Sequence, residues 1–234
     1  MKTIGLLGGM SWESTALYYR WLNEGIREKL GGLHSAKVAM VSVDFQEIEH
    51  LQHVGNWDEA GKQLAIAARQ IEAAGADFLL VCTNTMHKIA PQIEEAIAIP
   101  LLHIADATAE SIKARGIQSI GLLGTQFTME QDFYRGRLSE KHGLNVIVPN
   151  ESDRHIVHRI IYDELCVGVV KSESRQEYVR IIKQMQEAGA EGAIAGCTEI
   201  TMLIQQQHVQ MPLFDTTAIH ARAAVELALN VGPT

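Results

Sequence analysis

The sequence predicts an α/β protein made of two similar domains, each a four-stranded parallel sheet flanked by helices. Apolar β-type runs alternate with amphipathic helical stretches along the chain, the pattern of parallel sheets with crossover helices. Segments also recur in the same order. Ile4-Gly5-Leu6-Leu7-Gly8 returns as Ile120-Gly121-Leu122-Leu123-Gly124, Ala74-Gly75-Ala76-Asp77 as Ala188-Gly189-Ala190-Glu191, and Pro100-Leu101 as Pro212-Leu213. The separations of 116, 114 and 112 residues are nearly constant, which favours two homologous halves over shared α/β grammar.

In chain order, strands are expected over residues 2–8, 37–43, 77–83, 99–104, 118–124, 144–149, 191–197 and 211–214, where β-branched and aliphatic residues run together. Helices are expected over 14–30, 57–74, 128–142, 174–188 and 217–229, with Gly75 and Gly189 ending two of them at left-handed caps. The expected domains are 1–115 plus 215–234, with a returning last helix, and 116–214. Ligands of open parallel sheets bind outside the carboxyl ends of the strands. Two such halves about a pseudo-two-fold axis would turn their strand ends toward one cleft.

Composition narrows the function. The chain has 234 residues, 21% charged and 47% hydrophobic, which is ordinary globular usage. A net charge of -8 argues against nucleic acid, whose phosphates need clustered Lys and Arg. No stretch approaches the roughly 18 to 20 apolar residues of a membrane span, and the apolar part of the first ten residues is too short for a signal peptide. Three widely spaced cysteines suggest neither a disulfide framework nor a zinc site. The expectation is a cytoplasmic protein with reduced thiols. The ten histidines show no metal-ligand spacing, so no metal is expected.

The third strands of the halves end in Val81-Cys82-Thr83-Asn84-Thr85 and Ala195-Gly196-Cys197-Thr198-Glu199. The 114-residue offset pairs Thr83 with Cys197 and Cys82 with Gly196. A hydroxyl and a thiol at equivalent strand ends suit inversion of a stereocentre, which needs an acid on one face and a base on the other. A thiol titrates near 8.5, and helix N-termini or cations lower it, so a thiolate base at neutral pH is expected of Cys197. Cys82 and Cys166 read as buried apolar residues. Met10 and Ser11, after Gly8-Gly9, form an expected carboxylate-binding turn, with Thr125 and Thr128 at the equivalent turn of the second half. Asn84, Thr85, Thr198 and Glu199 are expected to line the pocket. His87 either braces the helix start or contacts substrate, while His103 and His220 read as structural.

The motifs Gly8-Gly9-Met10-Ser11-Trp12-Glu13-Ser14-Thr15, Cys82-Thr83-Asn84-Thr85-Met86-His87, Met129-Glu130-Gln131-Asp132-Phe133-Tyr134 and Gly196-Cys197-Thr198-Glu199 together resemble the aspartate/glutamate racemase family, over nearly the whole chain. The resemblance implies an amino-acid substrate, no pyridoxal phosphate, no metal, a homodimer, and a two-base mechanism with one cysteine from each half. It also implies that the second-half cysteine takes the proton from the L-amino acid. Three departures stand out. The family reads Cys-Asn-Thr-x-His, and the residue before Asn84 here is Thr83. Several members carry an Arg after the second strand for the substrate's side-chain carboxylate, whereas residues 45–55 contain no Arg or Lys, leaving Gln52 as the stand-in. Many members have a Lys where Cys166 stands. The expected function is racemisation of aspartate or glutamate. The alternatives are a broad-specificity racemase taking homoserine and other amino acids, a decarboxylase or cis–trans isomerase of small dicarboxylates, and a non-catalytic amino-acid sensor.

Overall fold

Strand β1 (Ile4–Gly8) is buried throughout and lies between two parallel neighbours, β2 (Val38–Ser42) and β3 (Phe78–Val81). Its run is wholly apolar because a central parallel strand is covered on both faces. Leu7, Leu79 and Val81 pack with Ile48 of α2 (Phe45–His53) and with Leu64, Ala67 and Ile71 of α3 (Trp57–Ala73). Ile4, Leu6, Phe78, Leu80 and Cys82 point the other way, to Tyr18, Leu22 and Ile26 of α1 (Trp12–Leu30). A 3-10 turn, Thr85–Ile89, and α4 (Ala90–Ala96) follow β3. Together these elements form one of two compact units of a computed structural model that describes residues 1–230.

The expected fourth strand at 99–104 does not form. Only Leu101 bridges to Leu79 in parallel, so this sheet has three strands, in the order β2-β1-β3. Pro100 has no N–H for a ladder, and the chain enters the next helix at Ile104.

The second unit contains α5 (Ile104–Lys113, from Ala105), β4 (Ser119–Gly124), α6 (Gln126–Glu130), β5 (Asn145–Ile147), α7 (Glu151–Asp163), α8 (Ser172–Glu187), β6 (Ala193–Gly196), α9 (Ile200–Leu203) and β7 (Leu213–Asp215). Its sheet is four-stranded and parallel, β5-β4-β6-β7. The helix expected over 128–142 is broken. Gln131 is extended, at φ -96 and ψ 150, and the chain resumes as a π-helical turn at Arg137–Lys141. That turn is tied to α5: Arg137 donates twice to Asp106 at 2.7 Å, Lys141 donates at 2.8 Å, and His142 lies 2.8 Å from the same carboxylate. This network groups α5 with the second unit, so the boundary lies at 104/105 rather than at 115/116.

Helix α10 (Thr216–Leu229) starts in the second unit, and from His220 onward it belongs to the first. The return therefore falls at 219/220, not 214/215. Its Ala221, Ala224, Val225 and Ala228 join the cluster around Tyr18 and Leu22.

Within each unit, Leu7 pairs with Val81 as Leu123 pairs with Ala195, and Leu79 pairs with Leu101 as Ala193 pairs with Leu213. The corresponding residues are 116, 114 and 112 apart, the separations of the sequence repeat. No helix among the described residues is long and apolar enough to cross a membrane.

His220 is fully buried. Its Nε2–H donates to the Leu102 carbonyl at 2.7 Å, leaving Nδ1 to accept from the Tyr18 hydroxyl at 2.7 Å. Burial lowers its pKa from 6.5 to about 4. A depressed histidine pKa means that the unfolded chain takes up the proton first. Stability is thus retained above pH 6.5 and lost as pH falls toward 4, by at most about 3 kcal/mol from this group. Urea unfolding of the wild type and His220→Gln between pH 7 and 4 checks this: the slope over that window should be smaller in the variant, and equal slopes would contradict it.

Candidate active site

In the first unit, the loops after β1, β2 and β3 hold six of the residues expected at the site. After β1 the chain turns at Gly9, whose φ of +96 favours glycine and where a Cβ would sit 2.1 Å from the Val43 carbonyl oxygen. Thr15 Oγ1 accepts from the Gly9 N–H at 2.9 Å and donates to the Ser11 carbonyl at 3.0 Å. Ser11 caps α1, accepting from the Ser14 N–H at 3.4 Å. Met10 puts its side chain into the apolar core. Gln52, on α2, is buried and donates through Nε2 to the Met86 sulfur at 2.9 Å, tying the loop after β2 to the loop after β3.

The exit of β3 separates two neighbouring side chains. Cys82 is fully buried in the cluster around Tyr18 and Leu22, and burial drives its thiol pKa far up. Thr83 is half-buried, while Asn84 and Thr85, which follow it, are buried. Ser14 Oγ donates to the Cys82 carbonyl at 3.2 Å. His87 Nε2 accepts from the Ile104 N–H at 3.2 Å, so Nδ1 carries the proton and donates to the Thr83 carbonyl at 2.8 Å. His87 is therefore a brace of this loop.

The second unit repeats the plan after β4 and β6. Thr125 caps α6, accepting from the Thr128 N–H at 3.3 Å, and its hydroxyl lies 3.2 Å from that of Thr128. Cys197, half-buried, follows Gly196 at the end of β6 and donates its S–H to Glu199 Oε2 at 2.9 Å. Thr198 is buried, accepting through its carbonyl from Thr201 Oγ1 at 2.8 Å and through its hydroxyl from Thr217 at 3.4 Å. Thr216 donates to the Ala195 carbonyl at 3.0 Å. The supporting role of Thr216 and Thr217, directly after β7, is not readable in the sequence, since none of the motifs repeated between the halves includes them.

The state of Cys197 corrects the expectation of a lowered thiol pKa. Burial raises it most, then the negative charge of Glu199 and the neighbouring Cys166. The Cys197 thiol is thus held above its ordinary pKa while it donates a hydrogen bond to the Glu199 side chain. The only sequence signal for this is the Cys-x-Glu spacing. Cys166 itself is partly buried against the same apolar cluster as Cys197. Among the described residues, no group of three or more His, Cys, Asp or Glu is placed to hold a metal ion.

Comparison with known proteins follows the same lines. The Asp/Glu/hydantoin racemase family matches residues 7–224. The structure of a candidate Asp/Glu racemase from Yersinia pestis is 57% identical, covers 98% of this chain and 100% of its own, and superposes with a TM-score of 0.93. An aspartate racemase homologue from Pyrococcus horikoshii is 38% identical over 97% of this chain and 99% of its own, with a TM-score of 0.84. A broad specificity amino-acid racemase of Bacillus subtilis, RacX, is 21% identical over 97% of this chain and 98% of its own length.

The contrast between the cysteines is measurable. A charged thiol reagent applied to the native protein should label Cys166 and Cys197, both partly buried, and leave Cys82 unmodified until the chain is denatured. Peptide mass spectrometry reads this directly, and early labelling of Cys82 would contradict its placement.

Proposed function

Because the chain belongs to the Asp/Glu/hydantoin racemase family, we propose that it is an isomerase that racemises small amino acids by moving the α-proton between Cys197 and Thr83, without pyridoxal phosphate or metal. The observation that carries this reading is the Cys197 S–H on the Glu199 carboxylate, 2.9 Å away at the end of a parallel strand. Glu199 takes the thiol proton, and the thiolate takes the α-proton of the L-amino acid, breaking the Cα–H bond. The negative charge left on the substrate is held by hydrogen-bond donors at the strand ends. Inversion needs a second group opposite the base. The equivalent register of Thr83 supports that role, the hydroxyl giving up its proton and regaining one from water.

A second reading concerns the side chain accepted. Gln52 stands where a cation would suit a dicarboxylic substrate, and Cys166 is likewise uncharged. Both support neutral polar amino acids such as homoserine, and the RacX relative is named for broad specificity. The three free thiols support a reducing, cytoplasmic setting.

Deuterium wash-in at the α-carbon, surveyed over both enantiomers of the common amino acids, tests the proposal. Exchange should be faster from L- than from D-enantiomers, because a thiolate is a better base than an alcohol. Cys197→Ala should lower exchange about 10²- to 10⁴-fold, whereas Cys82→Ala should retain it. Failure of any amino acid to exchange would sink the assignment.

Glu199→Gln separates the two roles of the carboxylate. Removing its charge lowers the thiol pKa, so the pH profile of Cys197 alkylation should move to lower pH. Turnover should nevertheless fall about 10²-fold or more, because the proton acceptor is gone. An unchanged alkylation profile would rule out the coupling.

A further inference from the structure

The three carbonyls that leave β3 are each held. Cys82 C=O accepts from Ser14 Oγ at 3.2 Å, Thr83 C=O from His87 Nδ1 at 2.8 Å, and Asn84 C=O from the His87 backbone N–H at 3.1 Å. His87 thus supplies two of the three bonds. Its ring is buried, with the His103 ring 4.4 Å away, and its far nitrogen is anchored on the Ile104 N–H at 3.2 Å. A buried ring held at both nitrogens has little freedom to turn.

The equivalent loop of the second unit is built otherwise. There the Cys197 carbonyl accepts from the backbone N–H of Ile200 at 3.1 Å, and the position equivalent to His87 is Thr201, which bonds the Thr198 carbonyl at 2.8 Å. The Cys197 carbonyl is therefore held by a main-chain donor, which side-chain substitutions other than proline leave in place. The Thr83 carbonyl, by contrast, accepts from a side chain, the His87 imidazole.

We propose that His87 is the positioning residue for Thr83: its imidazole fixes the Thr83–Asn84 peptide so that the hydroxyl stands where the second proton transfer needs it. This rests on the role given to Thr83 above. Proton transfer tolerates little misplacement, and an error near 1 Å costs up to about a hundredfold. Loss of His87 should then fall on one direction of the reaction only.

The test is α-deuterium wash-in from each enantiomer separately, in wild type, Thr83→Ala, His87→Ala and His87→Asn. His87→Ala should slow exchange from the D-enantiomer about ten- to hundredfold, with exchange from the L-enantiomer within about twofold and KM little changed. His87→Asn returns a donor near the Thr83 carbonyl and should recover part of the loss. Equal losses from both enantiomers, or none, would overturn the proposal, because a merely structural brace affects both directions alike. Thr83→Ala keeps the two readings apart. If it leaves D-exchange intact, the role of Thr83 fails; if it abolishes D-exchange while His87→Ala does not, only the role of His87 fails. Should neither His87 variant fold, ¹⁵N NMR of wild-type histidines decides: His87 must carry its proton on Nδ1, and an Nε2–H tautomer refutes the bond on which the proposal depends.

Discussion

A parallel strand one residue out of register turns every side chain to the opposite face of its sheet. The pairing of Leu7 with Val81, and of Leu123 with Ala195, is therefore the constraint on which the site depends. It sends Cys82 into the apolar layer beneath α1 and α10, and lets Thr83 leave the sheet at its carboxyl end. The same register in the second unit puts Gly196 inside, where a Cβ would lie 2.6 Å from the Leu123 carbonyl oxygen, and delivers Cys197 to the strand end. One position earlier than Thr83, the Cys82 thiol is fully buried.

The Cys197 S–H donates to the Glu199 side chain across 2.9 Å, and burial, then the neighbouring Glu199, raises the thiol pKa above its ordinary value. Such a couple can release and recover a proton within a single hydrogen bond. In the first unit the Thr83 carbonyl accepts from the buried His87 ring, whose tautomer is fixed by the Ile104 N–H.

The fold class was legible in the sequence because buried parallel strands leave uninterrupted apolar runs, and duplication made the register of Thr83 and Cys197 legible as well. What could not be read depends on contacts distant in sequence. The stretch at 99–104 has the composition of a strand but yields to Pro100 and to the helix that begins at Ile104. The break at Gln131 lies inside a run with helical periodicity; the π-helical turn beyond it is joined to Asp106 on α5. The protonation of Cys197 depends on the rotamer of Glu199, and the task of His87 depends on an amide 17 residues away. Spacing can nominate such residues without saying which of two tasks each performs.

The divided membership of α10 bears on the order in which the protein can be assembled. The second unit is built from one uninterrupted segment, Ala105–Ile219, whereas the first needs His220 and the residues after it to complete the apolar layer around Tyr18 and Leu22. During synthesis from the N-terminus, the part made first therefore cannot close its core until the part made second has emerged. Closing it brings residues more than 200 positions apart into one cluster, as in the bond between Tyr18 and His220, and contacts of such long range are slow to form. Until then that face of the nascent first sheet has only α1 to cover it, and part of its apolar surface stays open to water.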